Sequence, residues 1–312
     1  ATVEELLDPD CYRVPRLDDS IIFRHNPFFE ISAGNPYPGQ ADFAYRMINT
    51  PRPLEEKIAL FWHMVFATGV SKLDNCTDML TQIEMFRKYG LGSYRELLME
   101  LSKNPAMLYW LDNNLNHKDA PNENWGRELL ELFSMGQGNY TEQDVFECSR
   151  AFTGWTIEAK LPRFPYGRFP WHFEYKPEDH DDGEKVFMGH RGQFNGEDII
   201  DIIVRQPATS RFIARHLYNF FVADEVQVPS WLDIPPRDPV AINIIGEAFV
   251  SSGYDIRSTL RVLFNSDFFK DEQAWYAKVK SPAEVVVGTM RLVKDHQSPK
   301  PGITNIALEV GY

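Results

Sequence analysis

Several features that would assign a function to this chain of 312 residues are scarce or missing. Cysteine occurs only at Cys11, Cys76 and Cys148, with no CxxC spacing, so a zinc cage of thiolates is not expected. No run reaches the roughly 18 apolar residues that a membrane-spanning helix needs, so no transmembrane segment is predicted. There is no basic run, and the net charge of −13 argues against nucleic acid or an anionic membrane as partner.

The residues that are abundant favour a folded and mainly helical chain. Apolar residues make up 43% and charged residues 25%, which are globular values, so a sizeable core is expected. Residues 171–176 alternate as a strand should, and residues 184–188 are expected to pair with them. We predict a mainly α, multi-helical orthogonal bundle in a single domain over 1–312. A small β-hairpin near 171–188 lies in an irregular insertion at about 156–195.

The stretch 122–155 has the densest set of polar groups set against an apolar face. Its pattern predicts two helices joined by a Gly-containing turn, the first beginning near Asn122 or Glu123 and the second capped by Thr141 with Asp144. The side chains that helical spacing turns inward are Trp125, Leu129, Leu132, Phe133, Val145, Phe146, Cys148 and Phe152.

Asn124, Glu128 and Glu131 share one stripe of the first helix, at positions i, i+4 and i+7. Two carboxylates and an amide oxygen this close could hold a hard cation or activate a water molecule. The alternative is a solvated helix face on which Arg127 pairs with Glu131.

Two histidines are candidates to meet these acids. His63 lies in the apolar helix predicted for residues 53–68, where a buried imidazole has either a structural hydrogen bond or a ligand or proton-transfer role. His180 and Asp181 lie in the acidic segment 178–183, which is either turn chemistry or a supply of metal ligands.

Short segments spread over nearly the whole chain follow the order of a known family. They are 60–63 (Leu-Phe-Trp-His), 66–68 (Phe-Ala-Thr), 122–124, 127–129, 131–132, 140–145, 153–155, 180–189, 207–214 and 280–284. On these segments the chain resembles the bacterial domain-of-unknown-function 1800 family. No biochemical activity comes with the resemblance.

The resemblance implies more about context than about chemistry. Members of the family are often exported, which implies an extracytoplasmic location and a protein partner in an exported assembly. The family continues on both sides, so the chain is expected to be a section of a longer protein. Val65 stands where a second histidine is expected after His63, which weakens a histidine-pair metal site. Three basic side chains are expected to form salt bridges to the acidic surface or to bind a substrate anion: Arg211, Arg215 and His216, the last where the family tends to have lysine.

Two hypotheses follow. In the first, the chain is a metal-dependent, hydrolase-like enzyme that polarises water with a divalent metal ion. Its metal ligands would be His63, Glu128, Glu131, His180 and Asp181, and its catalytic candidates His63, Glu128, Glu131 and His180. In the second, the chain is a non-catalytic helical module with a buried polar network around the 122–131 helix. The network members would be Asn122, Glu123, Asn124, Arg127, Asp181 and Lys185, joined by Glu128 and His180. The second is favoured, because the chain lacks a nucleophile motif, a phosphate loop and a cysteine-based metal site.

Overall fold

A computed structural model describes residues 2–17, 36–73, 76–159 and 171–294. The helices are α1 (Val3–Leu7), α2 (Tyr37–Asn49), α3 (Pro53–Val65), α4 (Cys76–Tyr89), α5 (Tyr94–Ser102), α6 (Pro105–Trp110), α7 (Asn124–Glu128), α8 (Glu142–Ala151), α9 (Gly196–Val204), α10 (Pro207–Phe221), α11 (Pro239–Ser251), α12 (Ile256–Asn265), α13 (Asp267–Lys270) and α14 (Pro282–Val293). The strands are β1 (Trp155–Ala159), β2 (Trp171–Tyr175), β3 (Lys185–Phe187) and β4 (His190–Gly192). The predicted mainly helical fold with a small β insertion is confirmed, and the single-domain organisation stays a prediction.

Local sequence explains where many of the helices begin. Proline occupies the first turn of α3, α6, α10, α11 and α14, where its missing N–H is not needed. At α8 the Thr141 hydroxyl accepts from the backbone N–H of Asp144, and the Asp144 carboxylate accepts from that of Thr141. The predicted cap of Thr141 with Asp144 is therefore confirmed, and Thr2 and Glu5 make the same reciprocal pair at α1.

One hydrophobic core takes buried side chains from most of the described helices, including α3. Phe61 and Trp62 of this helix are both fully buried. The Trp62 ring stacks on Phe66 at 5.0 Å and on Tyr94 of α5 at 5.9 Å. Phe61 contacts Phe220 of α10 at 5.1 Å, so α3 joins the N-terminal helices to the second half of the chain. Within the described ranges, none of the helices has the length and apolarity that a bilayer span requires.

The first helix of the central stretch changes type along its length. α7 ends at Glu128 and continues as a π-helix, Leu129–Ser134, in which the Met135 N–H donates to the Leu130 carbonyl at 3.0 Å. A π-turn takes more residues than an α-turn, so the side chains beyond it rotate around the axis. Leu130 is therefore fully buried and Leu132 is 37% exposed, so the predicted burial of Leu132 is wrong.

α8 crosses α7 at close range. A Cβ atom at Gly126 would lie 2.5 Å from the Oγ of Ser149, so only glycine allows the two backbones to approach this closely. Val145 and Cys148 form the buried stripe of α8. Phe146 lies about 100° around the helix from Val145 and is exposed, so its predicted burial is also wrong.

The β insertion contains two sheets of two strands each, and both are antiparallel. β2 pairs with β1, and β3 pairs with β4. The predicted pairing of 171–176 with 184–188 is therefore wrong. Alternation identifies a strand but not its partner. Here Gly154, with a φ of +77°, turns the chain into β1, and its carbonyl accepts from the Lys176 N–H at 2.8 Å at the end of β2.

Candidate functional site

The side chains predicted to bind a metal ion do not converge. All five are among the described residues, within which no group of three or more His, Cys, Asp or Glu side chains is placed to hold a metal ion. The five are His63, Glu128, Glu131, His180 and Asp181. They lie on α3, on the α7–π segment and in the loop between β2 and β3, and each has its own surroundings. The structure therefore does not assemble the metal centre predicted from them.

His63 borders a separate, mainly apolar pocket of about 170 Å³, together with Phe43 and Thr68. Its Nδ1 atom is buried and has no hydrogen-bond partner in the part of the chain that the structure describes. Burial lowers the pKa of the His63 ring, so the ring is neutral near pH 7. A catalytic or ligand role for His63 stays a prediction.

Glu128 and Glu131 lie in very different surroundings on adjacent turns. The Oε2 atom of Glu128 is buried without a partner among the described residues, and burial, with the charge of Glu131, raises the pKa of Glu128. Glu131 accepts hydrogen bonds from the Tyr140 hydroxyl at 2.8 Å and from Gln137 Nε2 at 2.5 Å, rather than pairing with Arg127. Glu131 therefore holds both ends of the turn that follows the π-helix, and Glu128 belongs to no polar network among the described residues.

Replacing Glu128 by glutamine should raise the melting temperature at pH 7. The pKa of Glu128 in the folded protein lies above its usual 4.5. As the pH rises from 4.5 through the folded-state pKa, Glu128 ionises more readily in the unfolded chain, so the free energy of unfolding falls. The variant should gain about 0.5 kcal/mol at pH 7, the size of a like-charge pair on a helix, and almost nothing at pH 4. Thermal unfolding at both pH values measures the difference.

Glu142→Gln is the control with the opposite sign. Arg127 lowers the pKa of Glu142, so this carboxylate stabilises the fold above its usual pKa and loses that effect as the pH falls. Glu142→Gln should therefore lower the melting temperature at pH 7. A lower melting temperature for Glu128→Gln at pH 7 would instead support the predicted network that includes Glu128.

The predicted network members at the start of α7 form a cluster at the surface. Arg127 pairs with Glu123 at 3.0 Å and with Glu142 of α8 at 2.7 Å, and all three side chains are at least one-third exposed. The Asn122 side-chain oxygen accepts from the backbone N–H of Asn124 at 3.0 Å. These contacts join the ends of α7 and α8, but they are not buried.

Asp181 and Lys185 belong to a second network, centred on Arg150 of α8. The Arg150 guanidinium binds the Asp181 carboxylate through Nε at 2.7 Å and Nη2 at 3.1 Å, and it binds Glu147 through Nη1 at 2.6 Å. Lys185 is fully buried, and its ammonium donates to the backbone carbonyls of Asp181 and Gly183. The predicted network is therefore two networks, of which only this one is largely buried.

His180 has a structural hydrogen bond in the same region. Its Nδ1 atom lies 2.9 Å from the Thr153 carbonyl oxygen, as a donor would, and the Thr153 hydroxyl accepts from the Asp181 N–H at 2.8 Å. Sequence reasoning missed Arg150, Glu147 and Thr153. The i, i+3 spacing of Glu147 and Arg150 was available as a signal, but nothing in the sequence linked Arg150 to Asp181.

A cleft of about 310 Å³ lies where the turn after the π-helix meets α10, α11 and the short 3-10 helix Val228–Trp231. Its wall is lined by Met135, Gly136, Gln137, Gly138, Asn139, Ala208, Arg211, Phe212, Arg215, Val228, Trp231, Leu232, Pro236, Pro239, Ile242 and Asn243. The cleft therefore joins the central stretch to the helix that carries Arg211, Arg215 and His216.

Two of these three side chains are buried in contacts with other residues of the protein. Arg215 pairs with Glu225 at 2.7 Å, with both side chains buried, and its guanidinium lies 4.6 Å from the centre of the Trp231 ring. Arg215 therefore forms a salt bridge, as predicted, but with a buried glutamate and not with the acidic surface. The His216 ring also packs on Trp231 at 4.6 Å, and burial lowers the pKa of His216 to about 3, so it is neutral at pH 7. Arg211 is exposed, and no hydrogen bond or ion pair joins it to another described residue.

Comparison with known proteins agrees with the resemblance. Neither a curated protein nor a solved structure matches this chain. One family, described as "Protein of unknown function (DUF1800)", matches residues 36–309, a range that includes the α7–π segment, the Arg150 network and the cleft. The chain belongs to the DUF1800 family.

Proposed function

We propose that this protein is a helical binding module that receives a small ligand with a planar or apolar part in the 310 Å³ cleft. The composition of the cleft wall carries the proposal. The wall combines aromatic and aliphatic side chains with side-chain amides and two guanidinium groups. Its described part contains no carboxyl, imidazole, thiol or hydroxyl side chain, which are the groups that acid–base or nucleophilic catalysis uses. A wall of this kind suits recognition.

The cleft is also held in shape before any ligand arrives. Arg215 is bonded to Glu225 and to the Ile234 carbonyl at 3.0 Å, which ties the loop after α10 to that helix. On the opposite side Glu131 holds Gln137 and Tyr140 at the two ends of the glycine turn. A wall that is already ordered loses little conformational entropy on binding, which favours affinity.

A neutral aromatic probe tests this proposal. Benzyl alcohol, titrated against the ¹⁵N-labelled protein, should shift the indole N–H of Trp231 and the amide of Asn243 more than other signals. Asn243→Trp should block the cleft and abolish these shifts. Val240→Trp is the matched control, because Val240 is exposed on the same helix but does not line the cleft. The cleft would be rejected as the binding site if the shifts at Trp231 persisted unchanged in Asn243→Trp. It would also be rejected if benzyl alcohol shifted neither the Trp231 nor the Asn243 signal in the wild-type protein.

The extracytoplasmic location and a protein partner in an exported assembly remain proposals that rest on the family resemblance. Detection of the protein in the periplasmic or culture fraction of its host would support the location. Its confinement to the cytoplasmic fraction would reject it.

A further inference from the structure

We infer that one end of the cleft is an oxyanion subsite, formed by the glycine turn 136–138 and Arg211, so that the ligand carries a carboxylate or phosphate group. This inference rests on the proposed function and adds the charge of the ligand to it. Two independent features support it, one in the backbone of the turn and one in the charge of the wall.

The first feature is a pair of unused backbone donors. Gly136 and Gly138 have φ values of +78° and +81°, which residues other than glycine rarely adopt. The N–H groups of Gln137 and Gly138 donate to no other residue in the described ranges. Successive N–H groups exposed by such a turn form concave sites for anions. A Cβ atom at Gly138 would lie 2.5 Å from the Cδ1 atom of Leu232, so a larger residue would disturb the cleft.

The second feature is the one guanidinium of the described wall whose charge is not neutralised. Arg215 is paired with Glu225, and no described carboxylate lines the cleft. Arg211 has no partner among the described residues although the chain has a net charge of −13. A free guanidinium fork binds an oxyanion through two parallel hydrogen bonds, which fixes its orientation. The turn and Arg211 line the same cleft, and a Cβ atom at Gly136 would lie 3.0 Å from the ring of Phe212, the neighbour of Arg211 in sequence. We therefore expect one bound group to contact both.

The aromatic part of the wall indicates what the oxyanion is attached to. Phe212 and Trp231 line the cleft and contact each other at 5.3 Å, edge to face. An apolar or aromatic body would pack on these rings while its charged end reaches the turn. We therefore expect an aromatic carboxylate to bind more tightly than an inorganic oxyanion.

Benzoate and inorganic phosphate, titrated separately at low ionic strength, test the subsite by ¹⁵N NMR. Both should move the amide signals of Gln137 and Gly138 downfield, as new hydrogen bonds do, and benzoate should saturate at lower concentration. Arg211→Met should weaken binding of both probes by about tenfold or more. Arg205→Met is the matched control, since Arg205 is exposed but does not line the cleft, and it should change the affinity less than about twofold.

The outcomes separate this inference from the proposed function. Equal weakening by Arg211→Met and Arg205→Met would show a general charge effect and overturn the subsite. So would unchanged affinity in Arg211→Met, or amides at 137 and 138 that do not respond to either probe. If benzyl alcohol binds the cleft and both anions fail, the subsite is rejected and the binding module stands. If none of the three binds, both are rejected.

Discussion

Replacing Arg215 by methionine should lower the free energy of unfolding by about 3–5 kcal/mol, which is large for a single substitution. The substitution keeps an unbranched apolar side chain at this position but leaves the Glu225 carboxylate, which is 2% exposed, without its guanidinium partner. The carboxylate would keep the hydrogen bond from the Arg237 N–H at 2.8 Å but would lose its charged partner, and a buried charge left without its partner is strongly destabilising. Chemical denaturation at pH 7 measures the loss.

Arg211→Met is the control for this change. Arg211 lies one turn earlier on the same helix, is exposed, and has no partner within the described part of the chain, so its replacement should change stability by less than about 0.5 kcal/mol. The double variant Arg215→Met/Glu225→Leu should recover much of the loss, since it removes both buried charges. If Arg215→Met alone costs less than about 1 kcal/mol, the pair is weaker than its burial indicates.

Replacing Arg150 by methionine should cost about 2–3 kcal/mol, because Asp181 and Glu147 would lose charged hydrogen-bond donors in a mostly buried site. Arg150 also donates to the Glu184 carbonyl at 3.2 Å, next to β3. The damage should therefore concentrate in the loop and strands between 180 and 192. Hydrogen exchange in Lys185–Phe187 should accelerate while the core helix α3 keeps its protection.

The pH dependence gives this prediction a second check. Arg150 is the main cause of a lowered pKa at Asp181, so the pair stabilises the fold above the usual Asp pKa of 3.8. That contribution is lost as the pH falls through the lowered pKa of Asp181 in the folded protein. The difference in free energy of unfolding between wild type and Arg150→Met should narrow over the same pH range. Arg191→Met removes an exposed pair with Glu184 and should be nearly neutral. Equal effects of the two variants would contradict a central role for Arg150.

The Arg150 contacts, unlike the Arg215–Glu225 pair, join distant parts of the chain. Arg150 and Asp181 are 31 residues apart, and the cleft brings Gly138 within reach of Leu232. The carboxylate that pairs with a given arginine depends on how helices and loops pack, because the sequence contains many Asp and Glu residues that could be its partner. Local sequence patterns therefore identify His180, Asp181 and Lys185 as candidates for a polar network. They do not identify Arg150 as the side chain that binds the loop between β2 and β3.

The sequence by itself determined the mainly helical class and many helix ends. Capping boxes and prolines act within one turn of the chain, so Thr141 with Asp144 and the proline-initiated helices could be predicted locally. It also determined the surroundings of strongly apolar segments, such as the burial of Phe61 and Trp62 in α3. Tertiary structure alone decided the π-turn after Glu128, which exposes Leu132, predicted to be buried, and buries Leu130. It likewise decided the strand partners, the lack of a metal-binding group among the described residues, and the cleft at Arg211, because each depends on packing between segments far apart in the chain.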